Sequence, residues 1–493
     1  MTDDALVKTT NGSINGKSVG NVLVWKGIPY AKPPLGKLRF MAPEKPDSWQ
    51  GVRETVDFSS VSVQKSREIM KFLGDNPMDS SEDCLYLNIW SPSPDEKRRP
   101  VLVWIHGGAF TNGSGSSPAY NGESFAEMGD IVVVTLNYRL GILGFLHLGE
   151  LGGERYAASG NCGILDQIAA LEWIHDNITA FGGDPNKITV AGESAGAMSV
   201  AALLAMPSAK GLFQQAILQS CPPNMYQTKQ KATDTAKRIL NQLQLTENDL
   251  SRLEDLPVDN LLEAAADVTT WCPTVDGEYL PQNPDQALAA GSSKNIPILI
   301  GTNRDEHNLF SFFDQSWRTI DEKEIRTRFE QSLGSVWSQL FPSFKESPLT
   351  HELYDQVMTF NLFTYPSIQL AEQQIKQGAP VWMYRFDYES PIFEGKMKAF
   401  HALELLFVWN NLRKSVPFLA GSPEEQLLAD QIHQAWIAFI RTGNPDEQSM
   451  VHWPPYDLDK RTTLLFDRES RVEHDPDSSN RLLWEQAIST KTR

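Results

Sequence analysis

The chain has 493 residues, 41% hydrophobic and 22% charged, with 44 Lys and Arg against 62 Asp and Glu for a net charge of −18. These are ordinary values for a globular protein, and α/β enzymes often keep such a length in one unit. Strong acidity without any basic cluster argues against nucleic acid or an anionic membrane surface as partner.

The opening stretch MTDDALVKTTNGSING has neither a positive segment nor an apolar core, so no secretion signal is expected. Nowhere does the chain reach the roughly 18 consecutive apolar residues that a membrane span needs. Cys84, Cys162, Cys221 and Cys272 are scattered, with no CxxC pair. They are expected to be reduced, mostly buried thiols in a cytoplasmic protein, not ligands of a structural metal.

Apolar runs at 100–105, 131–136, 188–191, 216–219, 298–300 and 381–386 are rich in Val and Ile. Being continuous instead of alternating, they predict strands covered on both faces of a sheet. Helical patterns fall between them. Ile164, Ile168, Leu171 and Ile174 recur at helical spacing, and a second helix is predicted over Glu425–Ile440, stopped by Gly443-Asn444-Pro445. Strands alternating with helices imply a three-layer α/β fold around a mostly parallel sheet. Polar, helix-rich excursions near 222–260 and 305–360 are expected to cap the sheet's carboxyl edge, where such folds bind ligands. No internal boundary is evident, so residues 1–493 are read as one domain.

The stretch Gly192-Glu193-Ser194-Ala195-Gly196 follows the run 188–191 and precedes a helix-compatible segment, 197–204. A strand turning sharply into a helix strains the residue at the turn, and its neighbours two away must be small. That is the nucleophile elbow, G-x-S-x-G. By itself the pattern is weak, arising by chance in about one chain in five of this length at average Gly usage. A plain glycine turn is the alternative reading.

A serine nucleophile makes further demands. An oxyanion hole needs closely approaching backbone N–H groups, and Trp104-Ile105-His106-Gly107-Gly108-Ala109-Phe110 supplies such a loop after a strand. The expected donors are Gly108, Ala109 and Ala195, with Gly107 shaping the turn. A carboxylate must follow a later strand. Asp305 and Glu306, after the run 298–300, are both candidates, and pattern alone does not choose between them. A histidine must come after that. His106, His147 and His175 precede the elbow, and His307 is too close to the acid. His433 lies on the predicted C-terminal helix, His351 starts a helix-like stretch, and His452 and His474 sit in the polar tail. His401 remains, in the loop after the strand 381–386. Phe310, Phe312 and Phe313, with Phe110 and Leu362-Phe363, either line a pocket or fill the core.

Together these segments resemble the type-B carboxylesterase and cholinesterase family, of α/β-hydrolase fold. The resemblance spans nearly the whole chain. It is carried by Trp25 to Ala31 with Pro33-Pro34, by Ser81 to Asn88, by Phe181-Gly182-Gly183-Asp184-Pro185 leading into the elbow, and by the elbow itself. It implies that the catalytic acid is Glu306 and that the histidine of Phe400-His401-Ala402-Leu403-Glu404-Leu405 completes the triad. It also implies buried structural ion pairs, Arg39 with Glu82 and Arg139 with Asp166. His307 departs from the family's usual glycine, and Leu406-Phe407-Val408-Trp409 from its usual Pro-Phe-Val-Phe. Ser62 stands where animal relatives carry the cysteine that pairs with Cys84, so Cys84 is expected to be free. The segment 62–84 lacks the Trp that would bind a quaternary ammonium, which argues against a cholinesterase.

The expected activity is hydrolysis of short- to medium-chain or aryl carboxylic esters through an acyl-serine, without cofactor or metal. An amidase, carbamate hydrolase or lipase could use the same triad. The family's non-catalytic adhesion modules form an alternative of another class. The expected partner is a small-molecule ester, and the protein a monomer.

Overall fold

A computed structural model describes residues 5–65, 67–73, 79–222, 225–318, 320–344, 348–412, 418–446 and 451–489. Among them, eleven strands form one sheet. In chain order they are β1 (Lys17–Val19), β2 (Val22–Pro29), β3 (Tyr86–Ser91), β4 (Arg99–Ile105), β5 (Val132–Leu136) and β6 (Gly183–Glu193). Then follow β7 (Gln215–Gln219), β8 (Ile298–Asn303), β9 (Val381–Phe386), β10 (Thr462–Phe466) and β11 (Arg471–His474). Their spatial order is β1-β2-β3-β5-β4-β6-β7-β8-β9-β10-β11. Every pair from β5 through β4 to β10 is parallel, and both flanks are antiparallel.

Burial on two faces explains the unbroken apolar runs. Along β4, Val101, Val103 and Ile105 enter one core, while Leu102 and Trp104 enter the other. The first core is covered by α1 (Cys162–Asn177), α2 (Ala195–Ala205) and α3 (Tyr365–Lys376). The second is covered by α4 (Pro423–Thr442), through Leu428, Ile432, Trp436 and Phe439. Each branched side chain so buried contributes about 1.5–3 kcal/mol relative to exposure. A capping box, Ser422 with Glu425, starts α4, and Gly443 in the left-handed region ends it.

The two excursions divide. Helices Lys229–Gln242 and Val258–Ala264 send Ala236, Ile239, Leu240 and Leu261 into the first core. The second excursion builds its own cluster, in which Phe329 stacks on Trp337 and Trp484 of the C-terminal helix meets Phe360. Its first helix, Asn308–Phe313, stands beside the candidate site.

Both expected ion pairs form. Arg39 grips both oxygens of Glu82 at 2.5 and 2.7 Å and also donates to the Leu253 and Leu256 carbonyls. Arg139 does the same to the fully buried Asp166 at 2.6 and 2.8 Å. All four cysteines are free and buried, and Ser62 Oγ accepts the Leu140 N–H. Among the described residues, no helix is long and apolar enough to cross a membrane.

Candidate active site

The elbow is built by steric exclusion. Ser194 lies between β6 and α2 at φ 55° and ψ −122°, a conformation that non-glycine residues rarely adopt. A Cβ on Gly192 would lie 2.4 Å from the Gly196 carbonyl carbon, and one on Gly196 would lie 2.1 Å from the Ile105 carbonyl oxygen. Only glycine fits either place. The Ser194 N–H donates to the Gln219 carbonyl at the neighbouring strand end, which fixes the turn.

The loop after β4 comes beside it. Gly108 has φ 105°, and Ala109 and Phe110 also lie in the left-handed region. A Cβ on Gly108 would sit 2.2 Å from the Asn112 carbonyl oxygen. Gln64 braces the loop by exchanging bonds with the Gly113 N–H and carbonyl at 2.9 and 3.0 Å. The N–H groups of Gly108 and Ala109 donate to no described acceptor. Ala195 is the first residue of α2, where an N–H has no intrahelical partner. Burial pushes His106 down to about 4, so the loop carries no imidazolium.

Glu306 follows β8 and His401 follows β9, so Ser194, Glu306 and His401 come from the segments that follow β6, β8 and β9, on one side of the parallel sheet. The fully buried Glu306 carboxylate accepts from His401 Nδ1 at 2.6 Å, from the Asn303 N–H at 2.7 Å and from the Ser220 hydroxyl at 2.5 Å. Asp305, the other candidate, points away: its carboxylate accepts the Ala399 N–H and pairs with Arg304. His401 Nε2 faces Glu193 Oε1 at 2.9 Å, off the hydrogen-bonding angle, and Ser194 Oγ makes no hydrogen bond to it in this conformation. Burial works against a charge on the imidazole, but Glu193 and Glu306 outweigh it and hold its pKa well above 6.5. Among the described residues, no group of three His, Cys, Asp or Glu could hold a metal ion.

The chain as a whole has close counterparts. The chain matches the carboxylesterase family over residues 3–484. It is 43% identical to the para-nitrobenzyl esterase of Bacillus subtilis over 491 residues, 97% of each chain. Carboxylesterase EST55 of Geobacillus stearothermophilus superimposes with a TM-score of 0.90 at 45% identity, covering 97% of this chain and 100% of that one. A solved PNB esterase gives 0.87 at 41%, covering 98% and 100%. The chain belongs to the carboxylesterase family. It is a carboxylic ester hydrolase of α/β-hydrolase fold.

In this carboxylesterase the pocket that holds Ser194 is lined by the apolar Ile69, Met70, Leu73, Leu309, Leu406 and Phe418 and by Gly107, Gly108 and Ala109 of the glycine loop. The aromatic candidates separate. Phe310 lines the pocket, and its ring centroid lies 5.2 Å from that of His401. Phe363 flanks the same imidazole at 5.0 Å. Phe312 and Phe313 join Phe72 in a cluster nearer the surface, and Phe110 packs in the core against Phe145.

Two functional neighbours escape the sequence pattern. Ser220 sits one residue past β7 at φ 51°, and a polar residue just after a buried strand was its only signal. Glu404 is fully enclosed behind the site, accepting from Gln219 Nε2 and Asn303 Nδ2. Burial, then repulsion from Glu193 and Glu306, pushes its pKa up.

Proposed function

We propose that this carboxylesterase hydrolyses short- to medium-chain or aryl esters by two-step acyl transfer, with Ser194 as nucleophile, His401 as base and Glu306 as the acid. The carrying observation is the 2.6 Å bond from His401 to a buried carboxylate beside a serine held in a strained elbow. Nδ1 donates to Glu306, so Nε2 is the nitrogen left to take the serine proton. The ester carbonyl oxygen, charged in the tetrahedral intermediate, is received by the N–H groups of Gly108, Ala109 and Ala195. Removing one such donor typically costs about 10²–10³ in turnover. His401 then returns the proton to the departing alcohol, and water releases the acyl group. Glu193 and Glu306 both stabilise the imidazolium formed on the way. Residues 1–493 are taken as one catalytic unit, a monomer. The buried free thiols support a reducing, cytoplasmic setting.

The test is hydrolysis of para-nitrophenyl acyl esters from acetate to laurate by wild type and Ser194→Ala. Expected is a maximum at short or medium chains and loss of turnover in the variant. Activity surviving in Ser194→Ala overturns the nucleophile assignment. A relative 34% identical over 94% of this chain is named phenmedipham hydrolase, which makes phenmedipham the second substrate to try.

A further inference from the structure

His307 directly follows Glu306 and begins the helix Asn308–Phe313. Its Nδ1 lies 2.7 Å from Asp355 Oδ1 and 3.1 Å from Ser311 Oγ, and its backbone N–H donates to Thr359 Oγ1 at 3.0 Å. Asp355 and Thr359 stand one turn apart on the helix His351–Thr359 and so share a face. The Ser311 hydroxyl also donates to Asp355. A second histidine, His351, brings Nε2 to 3.1 Å from the other carboxylate oxygen while its ring stacks on Trp317. One buried carboxylate thus staples two helices, and bonds to an ionised acceptor are the stronger kind.

The staple ends next to the chemistry. Phe310, three residues on from His307, has its ring centroid 5.7 Å from His307 and 5.2 Å from His401. It lies parallel to Phe363 at 6.3 Å and is 37% exposed as part of the pocket lining. We propose that His307 is a specificity-determining residue: through Asp355 it fixes Phe310 as a rigid pocket wall against the His401 imidazole. The enzyme therefore favours esters with slim, unbranched groups on that side over branched ones. A loose Phe310 would turn aside and widen the pocket, whereas a stapled one excludes bulk.

This inference rests on the triad reading above, and its readout is a ratio, not the presence of activity. The measurement is kcat/KM for para-nitrophenyl acetate against the branched para-nitrophenyl pivalate. His307→Ala is expected to reduce the preference for acetate by about tenfold, the discrimination of a loosened apolar pocket. His307→Asn, whose amide can donate where Nδ1 does, is expected to keep the wild-type ratio. Phe310→Leu alone is expected to give the same relaxation, and adding His307→Ala to it to shift the ratio no further. An unchanged ratio in His307→Ala, or additive effects in the double variant, overturns the proposal. Should His307→Ala fail to fold, a Phe310→Leu ratio equal to wild type overturns it as well. Failure of the triad reading shows elsewhere, as turnover by Ser194→Ala.

Discussion

The His401 imidazole lies between two carboxylates, Glu306 at Nδ1 and Glu193 at Nε2. In the proposed mechanism His401 is a general base, which works only when neutral, so holding the proton more tightly moves the onset of activity to higher pH. With the imidazole raised well above 6.5, the rising limb of kcat/KM is expected above pH 6.5, and Glu193→Gln is expected to move it down. A limb below pH 6, or one that Glu193→Gln leaves in place, contradicts that electrostatic assignment. The linked stability has a definite sign. A folded-state pKa above the unfolded one gives stabilisation that is full below about 6.5 and lost as pH rises through the folded value. The residue scale is also where sequence reading stopped short. Asp305 and Glu306 are adjacent carboxylates after one strand, and only the turn decides which enters the site. The turn sends Glu306 inward to the imidazole, while Asp305 holds the histidine loop through Ala399. Ser220 and Glu404 act through contacts 86 residues or more from their partners, which no local pattern carries.

At the scale of elements, the strands that were legible are those with helices on both faces. β4, β5, β6, β7, β8 and β9 carry continuous apolar runs because over those stretches neither face meets water. β1 and β11 escape such reading because they are short edge strands, none of whose residues is buried. β2, β3 and β10 are well buried but carry Lys26, Asn88 or a pair of threonines, which break the run. α2 shows the converse limit: every residue in it is buried, so it has no polar face from which to read a helical period. That burial gives the elbow its rigidity, and the elbow tolerates no added atom. Gly196→Ala places a methyl 2.1 Å from a backbone oxygen that cannot move without distorting β4. The expected cost is about 1–3 kcal/mol or more from overpacking, with turnover lost along with the oxyanion geometry. Urea unfolding and para-nitrophenyl acetate hydrolysis check the two halves, and wild-type values in both would refute the steric account.

Across the whole molecule, buried charge and buried thiol are arranged around one another. The Arg139–Asp166 pair is sealed between β5 and α1, with Cys84 and Cys162 close enough to feel both charges. Asp166→Asn leaves a buried guanidinium without its counter-charge, and the expected destabilisation is about 3–5 kcal/mol, read from the denaturant midpoint. The thiols face the opposite situation. Burial outweighs the opposing pull of Arg139 on Cys84 and Cys162 and of Lys231 on Cys272; it pushes Cys84 up to about 12 and Cys162 and Cys272 up to about 11, and raises Cys221 as well. Because the thiolate is the reacting species, a buried group with a raised pKa is inert on two counts. Native protein at pH 8 is therefore expected to leave all four thiols unmodified by Ellman's reagent, whereas protein unfolded in guanidinium releases the colour of four. Dithiothreitol is expected to leave the unfolding midpoint unchanged, since no cross-link constrains the unfolded chain. Fast modification of even one thiol in the native state would mean that a cysteine-bearing segment opens readily. A midpoint lowered by dithiothreitol would mean that a disulfide forms after all.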